Sequence, residues 1–427
     1  PTYTPSYSMS PTDILMGINS IVALQPDMGI PDPGTPQFKA LLWLSMNKQI
    51  TTFSDSELRA RYAVATLVFT SSQNVSILTD DSHCTWIGIQ CATGSLANAG
   101  NETLDQITGI NATSIFPDWN QGNTTIHNET GFSFPPEIVL LSNSLAYLRY
   151  EGERIKGSIP TEFGFLSKLT ELSIKSLDNS LLALPSELST LSDLETLRYG
   201  GSSFKVNLAQ EGRVLLPKLQ VLDISNNDFA GGSIPSVIFQ FSQLAHLDLS
   251  YCNIAGNLPS DLENLKSLTA LKLRNNYLGS EIPTNVLTKL SQLETLDVSS
   301  NVFSTFESDS LVVYEIPQHQ FGSLTALTHL DLSTNSFYSS SWYPIANLTN
   351  LHHLDLRQAK ISGSIPDTFD KFTQLTYLDL SQNKLRSTVP SSLSRIISLA
   401  YFNLTGNFLE GSFNCSAYPS QLVLLGN

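Results

Sequence analysis

The chain has 427 residues and a formal net charge of −15 at pH 7, with only 14% charged residues and no basic run. That balance argues against nucleic acid and anionic membrane surfaces as partners, because both are held through clustered lysine and arginine. No apolar stretch approaches the roughly 18 residues of a bilayer-spanning helix. No charged-then-apolar leader precedes the body of the chain, so Pro1 reads as a processed or trimmed start.

Residues 1–36 are rich in proline, serine and threonine and predict an extended arm, with a short helix around residues 13–20. A helix is expected to open at Thr35-Pro36, with proline in the first helical position. A second opens at Ser54-Asp55-Ser56-Glu57, a capping box, and places Leu58, Tyr62, Ala65 and Phe69 on one face. Residues 37–106 therefore predict a helical cap over the apolar end of the segment that follows. Repeats begin at Ile107, and the first carries a polar insert around residues 121–130 that reads as a surface loop.

Between Leu145 and Leu422 the same phrase restarts every 23–25 residues. The starts are Leu145, Leu169, Leu194, Leu219, Leu244, Leu268, Leu293, Leu327, Leu351, Leu375, Leu399 and Leu422. The step from Leu293 to Leu327 alone is long, at 34 residues, and places an insertion at 303–320 with the β-prone cluster Leu311, Val312, Val313 and Tyr314. The phrase is L-x-x-L-x-L-x-x-N/C-x-L, and the chain is identified as a leucine-rich repeat protein. The fold class expected is an α/β leucine-rich repeat solenoid, a curved right-handed superhelix with a parallel β-sheet on its concave face. Residues 107–427 hold about twelve repeats and an incomplete C-terminal cap. The ninth-position asparagines Asn227, Asn276, Asn301, Asn335, Asn383 and Asn407 are expected to pair backbone groups that the turn would otherwise bury alone. Cys252 takes that place once, as a buried ladder thiol. Glu153, Leu177 and Ser202 stand there in the earlier repeats and predict irregular turns.

The second half of the repeat carries a finer resemblance. Segments 155–160, 254–259 and 361–366 read L-x-G-x-I-P, which resembles the plant-type repeat of about 24 residues with a second short strand. Cys84-Thr-Trp86-Ile-Gly88-Ile-Gln-Cys91 is similar to the C-x-W-x-G-V-x-C signature that closes the N-terminal cap of such proteins. The stretches at 35–44 and 58–67 resemble the cap of secreted and membrane-anchored repeat proteins of diatoms. The resemblance spans nearly the whole chain; it implies fold and compartment and leaves the ligand open. With it, Cys84 and Cys91 read as a disulfide of an oxidising compartment. A zinc site is the competing use of the pair, and it needs more ligands than His83 supplies. N-glycosylation sequons at Asn74, Asn101, Asn111, Asn123, Asn128, Asn347, Asn403 and Asn414 point the same way, toward an extracellular or cell-surface protein. Cys415 begins what resembles a C-terminal cap without its second cysteine, so the native chain is expected to continue past Asn427; end-to-end contact with another chain is the alternative.

Candidate function lies on the outward strand positions. At the third position His329, His353, Tyr377 and Tyr401 fall in consecutive repeats and predict a column spaced by about 4.8 Å, flanked by Arg357. An exposed row of rings suits recognition of protein or carbohydrate, and ordinary pairing across the strand surface is the bland reading. Asn403 faces the same way, and a glycan there would block one end of the column. At the fifth position Asp223, Asp248, Asp297, Asp331, Asp355 and Asp379 recur. Stacked carboxylates suggest Ca²⁺, yet L-D-L-S is the default wording of such repeats, so no metal and no cofactor is expected. No nucleophile, zinc-protease, P-loop or dinucleotide motif appears, so no enzyme is expected. The expectation is an extracellular recognition or adhesion protein whose concave face binds a protein, peptide or polysaccharide. The alternatives are a structural component assembling laterally or end to end, and an inhibitor of a wall-degrading hydrolase.

Overall fold

The computed structural model describes residues 31–32, 35–45, 53, 55–70, 78, 84, 86, 89–92, 106–111, 134–152, 155, 158–176, 184–201, 216–280, 282–304, 324–337, 345–411 and 423–425. The chain divides into two compact units, Pro1–Lys218 and Leu219–Asn427.

In the first unit, helix α1 (Pro36–Ser45) starts where predicted. The Thr35 hydroxyl accepts the Phe38 amide at 3.2 Å and so satisfies one of the orphan donors of the first turn. Helix α2 spans Asp55–Thr70. One-face amphipathicity understates its burial, since Leu58 and every residue from Ala60 to Val68 are buried. Even Arg61 is 1% exposed, with Glu57 at 3.2 Å and its guanidinium over the rings of Phe53 and Trp86. Trp86 packs edge-on against Trp43 of α1, ring centroids 5.8 Å apart.

Cys84 and Cys91 are disulfide-bonded, with Cα atoms 5.5 Å apart. Cys91 ends the strand Ile89–Cys91, which pairs antiparallel with Ile107–Asn111. Tyr147–Gly152, Glu171–Ser176 and Thr196–Gly200 then add in parallel. Both cysteines should resist alkylation until reduced; mass analysis of the unreduced chain carrying alkyl groups on both would contradict the bond.

In the second unit the described strands are short. Val221–Asp223, His246–Asp248, Ala270–Lys272, Thr295–Asp297, His329–Asp331, His353–Asp355, Tyr377–Asp379, Tyr401–Asn403 and Val423–Leu425 follow one another in chain order as neighbours in a parallel sheet. Most turn off at an asparagine, and Cys252 and Ala359 take that place after His246–Asp248 and His353–Asp355. The Asn276 amide nitrogen donates to Leu249 O (2.8 Å) and Leu273 O (2.9 Å), while its oxygen accepts Cys252 N (3.1 Å) and Ile254 N (3.0 Å). Cys252 stands in for an asparagine. Its thiol is fully buried, donates to Ile224 O at 3.1 Å and is pushed by desolvation up to about 12, so it remains a packed, unreactive group.

The expected second strand is present. Ala255–Gly256, Tyr277–Ser280 and Val302–Phe303 pair in parallel, as do Ser362–Gly363, Lys384–Thr388 and Phe408–Glu410. The motif glycines Gly256 and Gly363 sit at φ +94° and +80°, where a side chain is strained. The motif proline precedes a 3₁₀ turn, as Pro259 does for Ser260–Asn264 and Pro366 for Asp367–Lys371. This is a leucine-rich repeat solenoid, with Leu330, Leu354, Leu378 and Phe402 fully buried in its core.

The arm before Pro31, the helix-opening Ser54, the irregular turns expected at Glu153, Leu177 and Ser202, most of the 303–320 insertion and Cys415 lie outside the described residues. Among the described residues no helix is long and apolar enough to cross a membrane.

Candidate functional site

Alternation along each strand of the second unit sends the middle residue into the core and its two neighbours outward. Parallel register then lines up like with like. His329 faces His353, His353 faces Tyr377 and Tyr377 faces Tyr401, while Asp331, Asp355, Asp379 and Asn403 form a second row two residues on.

The four rings stack on one another. Centroid distances are 5.7 Å for His329–His353, 4.1 Å for His353–Tyr377 and 4.4 Å for Tyr377–Tyr401, with interplanar angles of 15°, 10° and 4°. The strand spacing of about 4.8 Å leaves no room between rings for anything else. Both faces of Tyr377 and of His353 are occupied by their neighbours, the ring pairing across the strand surface that the sequence also offered, and what the column presents outward is edges. Burial, with repulsion from other cationic groups, holds the His329 and His353 imidazoles below their usual range, so both are neutral at pH 7. Burial and the charges of Asp355 and Asp379 push the Tyr377 hydroxyl up, so it keeps its proton.

The fifth-position acids close turns. In each, one carboxylate oxygen accepts the amide two residues on: Asp331 from Ser333 (2.9 Å), Asp355 from Arg357 (2.8 Å) and Asp379 from Ser381 (2.8 Å). The second oxygens differ. That of Asp379 accepts the Asn403 amide (3.1 Å) and the Tyr401 hydroxyl (3.4 Å). That of Asp331 lies 3.6 Å from the Arg274 guanidinium, which also donates to the Tyr251 hydroxyl at 3.0 Å. For Asp355, 8% exposed, the turn amide is the hydrogen-bond partner found among the described residues. Desolvation, reinforced by the flanking Asp331 and Asp379, raises its carboxyl to about 7, against the pull of the turn amide and Arg357. Arg357 itself is exposed beside the column.

Asn403 is 8% exposed and does the work of an aspartate. Its oxygen accepts Thr405 N (3.1 Å) and the Thr405 hydroxyl (2.8 Å), as Asp379 does for Ser381. The signal was legible: Asn403-Leu-Thr405 stands in the frame of Asp379-Leu-Ser381. Of the other sequons, Asn347 is exposed and Asn111 half-buried, and Asn74, Asn101, Asn123, Asn128 and Asn414 lie outside the described residues. Among the described residues no group of three or more His, Cys, Asp or Glu is arranged to hold a metal ion.

The sheet face of the first unit has a different character. Arg149 there binds Glu171 through two nitrogens (2.6 and 2.7 Å) and lies 5.3 Å from the Tyr147 ring, and the Tyr147 hydroxyl donates to Gln90. Those groups are committed to one another.

Comparison with known proteins agrees with the geometry. Family profiles described as leucine rich repeat match residues 218–241 and 349–409, and one described as Zer-1-like, leucine-rich repeats matches 235–344. The chain is 37% identical over 218 residues to Receptor-like protein 35 of Arabidopsis thaliana, a match that takes in 48% of this chain and 21% of the relative. It is 36% identical over 155 residues to Receptor-like protein 39 of the same plant, covering 34% of this chain and 16% of the relative. The chain thus spans about a fifth or less of these curated relatives. Among solved structures it resembles the plant peptide hormone receptor RGFR1 in complex with RGF2. That likeness has a TM-score of 0.53 and 28% identity over 65% of this chain and 47% of the receptor. A TDR receptor matches with a TM-score of 0.57 and 28% identity over 69% and 52%.

Proposed function

We propose that the chain is an extracellular, non-catalytic recognition protein that binds a protein or peptide partner on the sheet face of its second unit. The observation that carries this reading is the in-register column His329, His353, Tyr377 and Tyr401, whose ring edges and hydroxyls line up as hydrogen-bonding groups while the face beneath is held rigid by the core. Arg357 flanks the same face. Similarity to receptor-like proteins and to a peptide hormone receptor supports the compartment and the class of ligand. A polysaccharide fits less well, because saccharide stacking needs an open ring face and these faces are covered.

The test is a peptide and glycan array on the purified chain, followed by titration of its strongest hit. Tyr377→Ala and His353→Ala should each weaken that hit about tenfold or more, with only a modest fall in melting temperature, because the half-buried rings lose stacking contacts and leave the core beneath intact. Unaltered affinity in both variants would reject the face.

Glycan placement follows from burial. Asn347 should carry a glycan when the chain is made in a secretory host, and Asn403 should not, since its amide is already held inside the turn. A glycopeptide map with Asn403 occupied would show that this end of the column is closed to a partner.

A further inference from the structure

We propose that this face is built for a cationic polypeptide segment, with Asp355 as the carboxylate that takes an arginine or lysine side chain. The inference rests on the reading of the sheet face as the binding surface and names the chemistry of its ligand.

Three observations carry it. First, Asp355 is nine-tenths buried on the outward side of its strand, one oxygen tied to the Arg357 amide and its second oxygen bonded to no other described residue. Its register neighbours Asp331 and Asp379 bring two further carboxylates alongside, so an acidic row runs beside the rings of His353 and Tyr377. Desolvating a carboxylate whose second oxygen is unpaired costs stability, and a cation that seats against it recovers part of that cost.

Second, the protein already shows the arrangement one strand away. Arg274 lays its guanidinium 3.6 Å from the free oxygen of Asp331 while donating to the Tyr251 hydroxyl. A ligand guanidinium at Asp355, beside the edges of His353 and Tyr377, repeats that contact one rung along. Asp379 does not offer the same opening, because Asn403 and Tyr401 hold its second oxygen. Third, the two imidazoles of the column are neutral at pH 7, so they add no opposing charge. The cations beside this row are Lys272, in register with Asp297 two strands before Asp355, Arg274, which lies against Asp331, and Arg357, which is exposed.

The experiment uses the full chain at pH 8 and fluorescence anisotropy with a labelled octapeptide of alternating arginine and serine. Its controls are the glutamate–serine counterpart and cellohexaose. Asp355→Asn removes the charge and keeps the turn acceptor, a replacement the fold already tolerates at Asn403. Asp261→Asn removes one charge at an exposed site on a 3₁₀ turn, away from the sheet face. The arginine peptide should bind, lose about tenfold in affinity in Asp355→Asn and be unaffected by Asp261→Asn. No binding at about 1 mM peptide, or equal affinities in wild type and Asp355→Asn, would overturn the proposal. Equal losses in the two variants would also overturn it, as diffuse attraction to an acidic chain. If cellohexaose or the glutamate peptide binds and is weakened by Tyr377→Ala but not by Asp355→Asn, the face stands and the cationic ligand falls. A loss in Asp355→Asn with Tyr377→Ala unaltered keeps the cation subsite and removes the ring column.

Discussion

Asn383→Ala should be among the most damaging single substitutions in the chain. The Asn383 amide nitrogen donates to Leu356 O (2.7 Å), Leu380 O (3.0 Å) and Ser381 O (3.1 Å), and its oxygen accepts Ala359 N (3.1 Å) and Ile361 N (3.0 Å). The side chain is 5% exposed, so water does not replace it. Alanine strands several backbone groups at once, each worth about 1–3 kcal/mol when buried alone, and the expected loss is about 4 kcal/mol or more. Because stability in a stacked array passes between neighbouring coils, the damage should spread. Hydrogen exchange is the measurement: amides of Leu356–Ile361 and Leu380–Leu385 should lose protection together, while those of Leu247–Leu249 change less. Protection left intact around 356–385 would show that the ladder does not hold the coils.

Asp355→Asn should stabilise the folded chain near neutral pH and leave it nearly unchanged at pH 4. The folded carboxyl titrates at about 7, against an ordinary value of 3.8. A carboxyl raised on folding binds its proton more tightly in the folded state. Its contribution is therefore complete below the unfolded value and is lost as pH rises through the folded one, a window from about 4 to about 7. Above that window the charge is buried between Asp331 and Asp379, at a cost of order 2–4 kcal/mol. Thermal melts of both proteins from pH 4 to pH 8 give the difference directly, and it should widen with rising pH in favour of the variant. A variant less stable than wild type at pH 8 would mean that the buried charge is matched by a partner in the folded chain. A position that lowers stability while holding a turn that asparagine holds as well is what a ligand subsite demands, which joins this prediction to the binding test.

The sequence by itself determined the phase of the chain. A repeat of 23–25 residues returns each L-x-x-L-x-L to the same place in its coil, so the alignment of His329, His353, Tyr377 and Tyr401 on adjacent strands follows from counting alone. The asparagine ladder was legible for the same reason, since a turn buried in coil after coil needs a donor and acceptor, and where Cys252 and Ala359 interrupt the ladder the next coil's Asn276 and Asn383 hold their amides. The Cys84–Cys91 pair was legible because both cysteines fall within one short signature. Only the tertiary structure decided what those positions do. Whether a ring offers its face or its edge depends on the ring about 24 residues away, since strands spaced at about 4.8 Å press ring against ring. Whether an aspartate is free depends on its neighbours: Asn403 and Tyr401 occupy Asp379, Arg274 lies against Asp331, and Asp355 is left between them. Helix α2 makes the same point, for its hydrophobic pattern assumes a solvent side that packing around it removes. Periodicity sets where a side chain starts; burial and charge come from coils that lie far apart in sequence and meet only when the chain is stacked.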